Sequence, residues 1–179
     1  MVKAVIINGG NNKTSRLTGI HQFIESNMAH VQVATESIYV HELPSKDLLT
    51  ANFESEEIIQ ANQVVAKADI IFVLTPIYKA SFTGILKTYL DVLPQKALEG
   101  KKIVPIALGG SIGHLLAIEY TLKPVLSVLG ATEILNTVYI IDQQIERLEN
   151  NKYKIADEAI SRIKKEFQNL HIHEVVHIS

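Results

Sequence analysis

The chain contains no cysteine, which removes disulfide frameworks, thiolate nucleophiles, cysteine-ligated zinc and iron–sulfur clusters together. Any redox chemistry must therefore come from a bound cofactor. Charge of one sign is also missing: 17 Lys and Arg against 19 Asp and Glu leave a net −2. No broad basic face is available to neutralise a row of nucleic-acid phosphates. No segment approaches about 18 uninterrupted apolar residues, the length a membrane helix needs. Met1-Val2-Lys3-Ala4-Val5 leads straight into a β-like run, without the basic region and apolar stretch of a secretory signal. The expectation is a cytoplasmic protein with neither nucleic acid nor membrane as partner. Glycine and proline are sparse, at 9 and 5 residues, which excludes collagen-like and low-complexity chains.

What is present is core material: 47% of the 179 residues are hydrophobic and 20% charged, which predicts one domain over 1–179 with residues from about 171 onward as a tail. Val2–Ile7, Ile70–Leu74 and Ile103–Leu108 are short, β-branched-rich runs, the pattern of strands covered on both faces. Val31–Val40 alternates more and suits a strand near an edge, and Ile134–Ile141 supplies a fifth. Helical stripes fall between them: Ile20, Phe23, Ile24 and Met28; Ile58, Ala61, Val65 and Ala68; Ile85, Leu86, Tyr89, Leu90 and Leu93; Leu115–Leu129; and Ile155, Ala159, Ile163, Phe167 and Leu170. Strict alternation with right-handed crossovers predicts an α/β fold, a doubly wound five-stranded parallel sheet of order 2-1-3-4-5 with helices on both faces. Ligands in such sheets sit at the carboxyl ends of the strands, so three loops carry the functional reading.

The first loop is Asn8-Gly9-Gly10-Asn11-Asn12-Lys13-Thr14-Ser15-Arg16. Its glycines allow close backbone approach, the following helix start attracts an anion, and Thr14, Ser15 and Arg16 add hydroxyls and a fixed charge. It reads either as a cradle for a phosphomonoester or as an ordinary turn with Ser or Thr as helix cap. Lys13 lacks the preceding glycine of a Walker loop, and the spacing is not that of a dinucleotide fingerprint. In the second loop, from Thr75 to Gly84, Pro76 and Gly84 bracket a stretch rich in backbone amides, and Tyr78 offers a flat face to a planar ligand. Tyr78 and Phe82 have a second reading, as cover for the sheet edge or an oligomer contact, which is preferred for Phe82. The third, Gly109-Gly110-Ser111-Ile112-Gly113-His114, has small residues that let a planar ring approach the backbone. His114 taken singly reads as a hydrogen-bonding residue at a helix start rather than a base.

Pro124 sits inside an otherwise helical pattern, where it cannot donate to the carbonyl of Tyr120. The helix is expected to kink or widen at Tyr120.

The block Thr75-Pro76-Ile77-Tyr78-Lys79-Ala80-Ser81-Phe82-Thr83-Gly84-Ile85-Leu86-Lys87-Thr88, followed by Leu90-Asp91-Val92-Leu93-Pro94 and Ala97-Leu98-Glu99-Gly100-Lys101, resembles the NADPH-dependent FMN reductases of the flavodoxin-like superfamily. The resemblance is particularly to the reductase component of two-component alkanesulfonate monooxygenase systems. Gly109-Gly110-Ser111, His114-Leu115-Leu116-Ala117 and Tyr120-x-Leu122-Lys123-Pro124 extend it to roughly residues 1–145. It implies that the first loop (Gly9, Gly10, Asn12, Thr14, Ser15, Arg16) holds the FMN phosphate. The second and third loops (Pro76, Ile77, Tyr78, Lys79, Ser81; Gly109, Gly110, Ser111, His114) hold the isoalloxazine, with the nicotinamide of NADPH stacked on its open face. It implies further that Tyr120 is the extra residue of a π-bulge found in reductases that release flavin to a monooxygenase, its other reading being an ordinary buried aromatic at an oligomer contact, and that subunits pair into dimers or tetramers. One departure stands out: where the family commonly has Gly-Ser-x-Arg, this chain has Gly9-Gly10-Asn11-Asn12, while Ser15 and Arg16 match the nearest subgroup.

No acid–base residue is expected, because hydride transfer needs mainly a stacked, near-attack geometry. Other readings are an FMN-retaining quinone or azo-dye reductase, and an electron carrier or binding protein without its own reductase activity, although such carriers are usually far more acidic than −2. His171, His173 and His177 read as a polar extension or an extra strand rather than a metal site.

Overall fold

Alternation along three apolar strands places the core on both sides of one sheet. A computed structural model describes residues 2–172; His173, His177 and all of the expected tail after its first two residues lie outside the described residues. β1 (Lys3–Asn8), β3 (Ile70–Tyr78) and β5 (Lys102–Gly109) pair in parallel, with Ile6 beside Phe72 and Phe72 beside Val104. Successive side chains face opposite ways. Val5, Ile7, Ile71, Val73 and Ile103 pack under α3 (Glu56–Ala66), α4 (Gly84–Asp91) and α5 (Lys123–Val128). Ala4, Ile6, Ile70, Phe72 and Val104 pack under α1 (Arg16–His30) and α6 (Asp157–Asn169).

β2 (Ala34–Tyr39) flanks β1, and β6 (Glu133–Ile134) and β7 (Val138–Ile141) both flank β5, all in parallel. The order β2-β1-β3-β5-β6 is the expected 2-1-3-4-5 once β5 is counted as the fourth strand and β6 with β7 as the fifth. The chain has a flavodoxin-like α/β fold. Its fifth strand is broken: from Ile103 to Ile106 β5 advances three residues while its partner advances four, from Ile134 to Val138. One surplus residue therefore bulges at 135–137. A short helix α2 (Ser45–Leu49), not expected from the sequence, follows β2. Among the described residues no helix is long and apolar enough to cross a membrane.

Three segments differ from expectation in ways that shape the site. The run from Thr75 is not a long loop: β3 continues to Tyr78 and turns back as β4 (Ser81–Phe82), with Tyr78 opposite Ser81. The two turn residues, Lys79 (φ +50°) and Ala80 (φ +63°), are both left-handed, the hairpin geometry that suits the right-handed strand twist but normally calls for Asn-Gly. The expected helix over Leu115–Leu129 is two pieces, a π-helical turn at Ile118–Leu122 with Tyr120 at its centre and then α5, preceded by a separate 3₁₀ turn at Ile112–His114. Pro124 is the second residue of α5 and follows directly on the π-helical turn, where the Lys123 N–H reaches back to Ile118 O, so the widening lies immediately before the proline that cannot donate. The third difference is an antiparallel hairpin, β8 (Ile145–Arg147) and β9 (Tyr153–Ile155). Gly19 of α1 lets it approach: a Cβ there would come within 2.7 Å of Tyr153 Cβ and Cγ.

Candidate functional site

The carboxyl ends of β1, β3 and β5 open into one polar cleft of about 280 Å³. Its walls are Asn11, Asn12, Thr14, Ser15, Arg16 and Leu17 from the first loop and the start of α1, Pro76, Ile77 and Tyr78 from the end of β3, Leu108 and Gly110 from the end of β5 and the residue after it, and Asp142 and Arg147 beyond β7. Larger hollows of about 490 Å³ between α1 and α6 and about 720 Å³ beside α3 and α4 lie away from the strand ends and lack this convergence of hydroxyls, guanidinium groups and a helix start.

The first loop is folded by its own side chains. Asn12 Oδ1 accepts from the Thr14 N–H (2.9 Å) and hydroxyl (3.1 Å), and Asn12 Nδ2 donates to Asn11 Oδ1 at 2.9 Å. Ser15 is the N-cap of α1, yet its side chain makes no cap bond; Ser15 Oγ is buried without a hydrogen-bond partner. The N–H groups opening a helix have no intrahelical acceptor, and the first turn of α1 holds no acidic residue. Together these leave donors directed at the cleft, as a phosphate oxygen requires. Arg16 Nε donates to the Ile145 carbonyl at 3.0 Å, so the guanidinium is held at the rim. Lys13 is engaged elsewhere, 2.7 Å from Glu42 Oε2 and 4.2 Å above the Tyr39 ring.

Gly9 and Gly10 serve contacts within the chain. The Gly9 N–H donates to Leu74 O at 2.8 Å, its carbonyl accepts from Thr83 Oγ1 at 2.7 Å, and a Cβ would lie 2.6 Å from Leu86 Cβ. Thr83, which the sequence reading left aside, also caps α4 through Leu86 N and so ties the first loop to that helix. Gly10 N–H donates to Asn8 Oδ1 and Gly10 O accepts from His41 Nδ1. Gly109 likewise makes room for Tyr139, whose hydroxyl donates to Ser111 O at 2.8 Å. Gly110 faces open space. Of the residues expected at the site, Asn12, Thr14, Ser15, Arg16, Pro76, Ile77, Tyr78 and Gly110 line the cleft. Gly9, Gly10, Lys79, Ser81, Gly109, Ser111, His114 and Tyr120 are not part of that lining. Asp142 and Arg147 are additions, and only recognition of the hairpin after β7 would have pointed to Arg147.

Behind the first loop, Asn8 Nδ2 donates to His21 Nδ1 at 3.1 Å, which places the ring proton on Nε2, facing Ser37 Oγ at 2.9 Å and Glu25 Oε1 at 3.1 Å. Tyr39 stacks on the His21 ring, and burial followed by the Glu25 and Glu42 charges pushes its phenol up to about 12. Burial of His21 lowers its pKa below 6.5 despite the raising influence of Glu25. The folded chain resists a proton that the unfolded chain accepts, so this contribution to stability is complete above the ordinary histidine value and declines as pH falls below it. Thermal unfolding of the wild type should lose more stability between about pH 7 and pH 5 than His21→Gln does; parallel profiles would contradict this.

A sequence model of the NADPH-dependent FMN reductases matches residues 2–146. The chain belongs to that family. It is 49% identical over 122 residues to an FMN reductase (NADPH) of Pseudomonas putida, a match covering 68% of this chain and 61% of that protein. To an FMN reductase (NADPH) of Escherichia coli it is 37% identical over 144 residues, 80% of this chain and 75% of the other. Among solved structures, the apo form of an NADH:FMN oxidoreductase superposes with TM-score 0.81 at 31% identity, covering 97% of this chain and 90% of that one. FMN and NADPH are the reactants of this reductase family, and the cleft fits the flavin's phosphate in this member: Ser15 Oγ is an orphaned buried donor at the start of α1, beside a guanidinium.

Proposed function

We propose that the protein transfers a hydride from NADPH to FMN in this cleft and releases the reduced flavin to a partner monooxygenase. The reading is carried by the orphaned Ser15 Oγ at the opening of α1, with Arg16 fixed at the same rim. When bound, FMN supplies the ring that accepts the hydride. The chain's own residues do the rest by binding and orientation. Thr14, Ser15 and the first N–H groups of α1 hold the phosphate, and Arg16 adds charge. Pro76, Ile77 and the half-exposed Tyr78 flank the ring, and the open backbone at Gly110 leaves it space. Release is supported by the absence of the family's usual arginine at Asn12 and by the π-helical turn, which leaves Tyr120 75% exposed. Ile112, Leu115, Leu116 and Val128 are exposed along the same stretch, which supports a homo-oligomer, dimer or tetramer, formed through this face.

NADPH oxidation by flavin-free protein, measured with and without added FMN, tests the reading. Saturable dependence on FMN is expected; tight co-purification of FMN with turnover on a quinone and none on free flavin would replace it with a flavin-retaining reductase. Arg16→Ala should weaken FMN by roughly tenfold to a hundredfold, the worth of a charge-assisted hydrogen bond. Riboflavin, which has no phosphate, should be affected far less. Equal losses for the two flavins in a fluorescence titration would place Arg16 outside the phosphate site.

A further inference from the structure

Arg147 stands in the cleft without being part of the first loop or of any segment matched by the family's sequence model, which ends at residue 146. It is placed there by strand geometry. Ile145 of β8 is buried against the α1 side of the sheet, and its carbonyl is the acceptor for Arg16 Nε at 3.0 Å. Residues two apart on a strand face the same way and lie about 6.6 Å apart. Arg147 therefore shares the α1-facing side with Ile145, while Glu146 faces away. The hairpin is pinned at two further points: the Ala156 N–H donates to Gln144 O at 2.8 Å, and Tyr153 sits against Gly19 of α1. No hydrogen bond or ion pair within the described residues engages the Arg147 side chain.

Charge matching indicates what it holds. A phosphomonoester carries about −1.5 to −2 near neutral pH. With Lys13 committed to Glu42 and Tyr39, the charged side chains lining the cleft are Arg16, Arg147 and Asp142. Arg16 alone is offset by Asp142; only with Arg147 does the lining become net positive.

We infer that Arg147 is a second phosphate-binding cation, delivered by the β8–β9 hairpin to the FMN phosphate end of the cleft, where it takes the part that Asn12 cannot. The inference rests on the reductase reading above. Arg16 then has two tasks: its Nε anchors the hairpin through Ile145, and its remaining N–H groups face the same anion.

Fluorescence titrations of FMN and riboflavin against the wild type, Arg147→Ala, Arg147→Lys and Gly19→Ala test it. Arg147→Ala should raise the FMN dissociation constant roughly tenfold to a hundredfold, leave riboflavin within about twofold, and flatten the salt dependence of FMN binding. Arg147→Lys should recover part of the loss. Gly19→Ala, whose Cβ displaces Tyr153, should weaken FMN selectively although no charge is removed. An Arg147→Ala variant with unchanged FMN affinity, or with equal losses for both flavins, overturns the inference. So does a raised KM for NADPH with NADH and FMN unaffected, which would assign Arg147 to the nucleotide's 2′-phosphate. Wild-type protein that binds neither flavin defeats the reductase reading itself; wild-type FMN binding that survives Arg147→Ala leaves that reading standing and removes only Arg147.

Discussion

Gly109→Ala is expected to lower stability by about 2–4 kcal/mol, combining overpacking with the loss of one partly buried hydrogen bond. The added Cβ would overlap Tyr139 Oη and lie 2.7 Å from Tyr139 Cζ. Tyr139 is buried in β7 beside Gly109's own strand, with its hydroxyl on the Ser111 carbonyl. It cannot retreat without releasing the third loop. In a domain of this size the melting temperature should fall by roughly 5–15 °C, and FMN affinity should fall with it because Gly110 moves with Ser111. Tyr139→Phe in the same chain removes the worst overlap, so the double variant should be more stable than Gly109→Ala alone, a non-additivity expected of touching residues. A single variant that melts within a degree of the wild type would show that the ring has somewhere to go.

Tyr120→Ala should dissociate the assembly proposed above. A phenol ring 75% exposed on a widened helical turn, among exposed Leu115 and Leu116, has the composition of an interface anchor. Losing such an anchor costs about 2 kcal/mol. Two-fold symmetry places it twice in the contact, so the loss is about 4 kcal/mol, roughly a thousandfold in the dissociation constant. Light scattering over a concentration series, paired with flavin titration, measures both consequences. A wild type that stays monomeric at high concentration, or a variant unchanged in mass and in flavin affinity, would remove the argument.

The central strands were legible because burial on both faces leaves an unbroken apolar signature, as in Ile70–Leu74. The hairpin at 145–155 was not, because three-residue strands such as Ile145-Glu146-Arg147 are too short for a period, and Ile155 fits equally well as the first apolar position of α6. Pro124 pointed to a disturbance near Tyr120, and the π-helical turn lies at Ile118–Leu122; that the preceding turn would be 3₁₀ left no mark in side-chain spacing. The Lys79-Ala80 turn was hidden because neither residue is one that favours positive φ. Within the site, Ser15 and Arg16 were visible as residue types, whereas the destinations of Gly9 and Gly109 were not. A missing Cβ permits approach by anything, and only the fold shows that Leu86 and Tyr139 are what approach.

The broken fifth strand bears on what the sheet edges can pair with. An open sheet offers two rims of unpaired backbone groups, each a template for a foreign strand. Here one rim is interrupted by the bulge at 135–137, leaving pieces of two and four residues. The other, Ala34–Tyr39, carries Thr35, Glu36 and Ser37 in its middle. Neither presents the long, flat, apolar margin on which strands add and fibrils grow. Sheet extension, which has no natural end point, is thereby disfavoured, whereas the helical-face assembly proposed above would be closed by symmetry at a finite number of subunits.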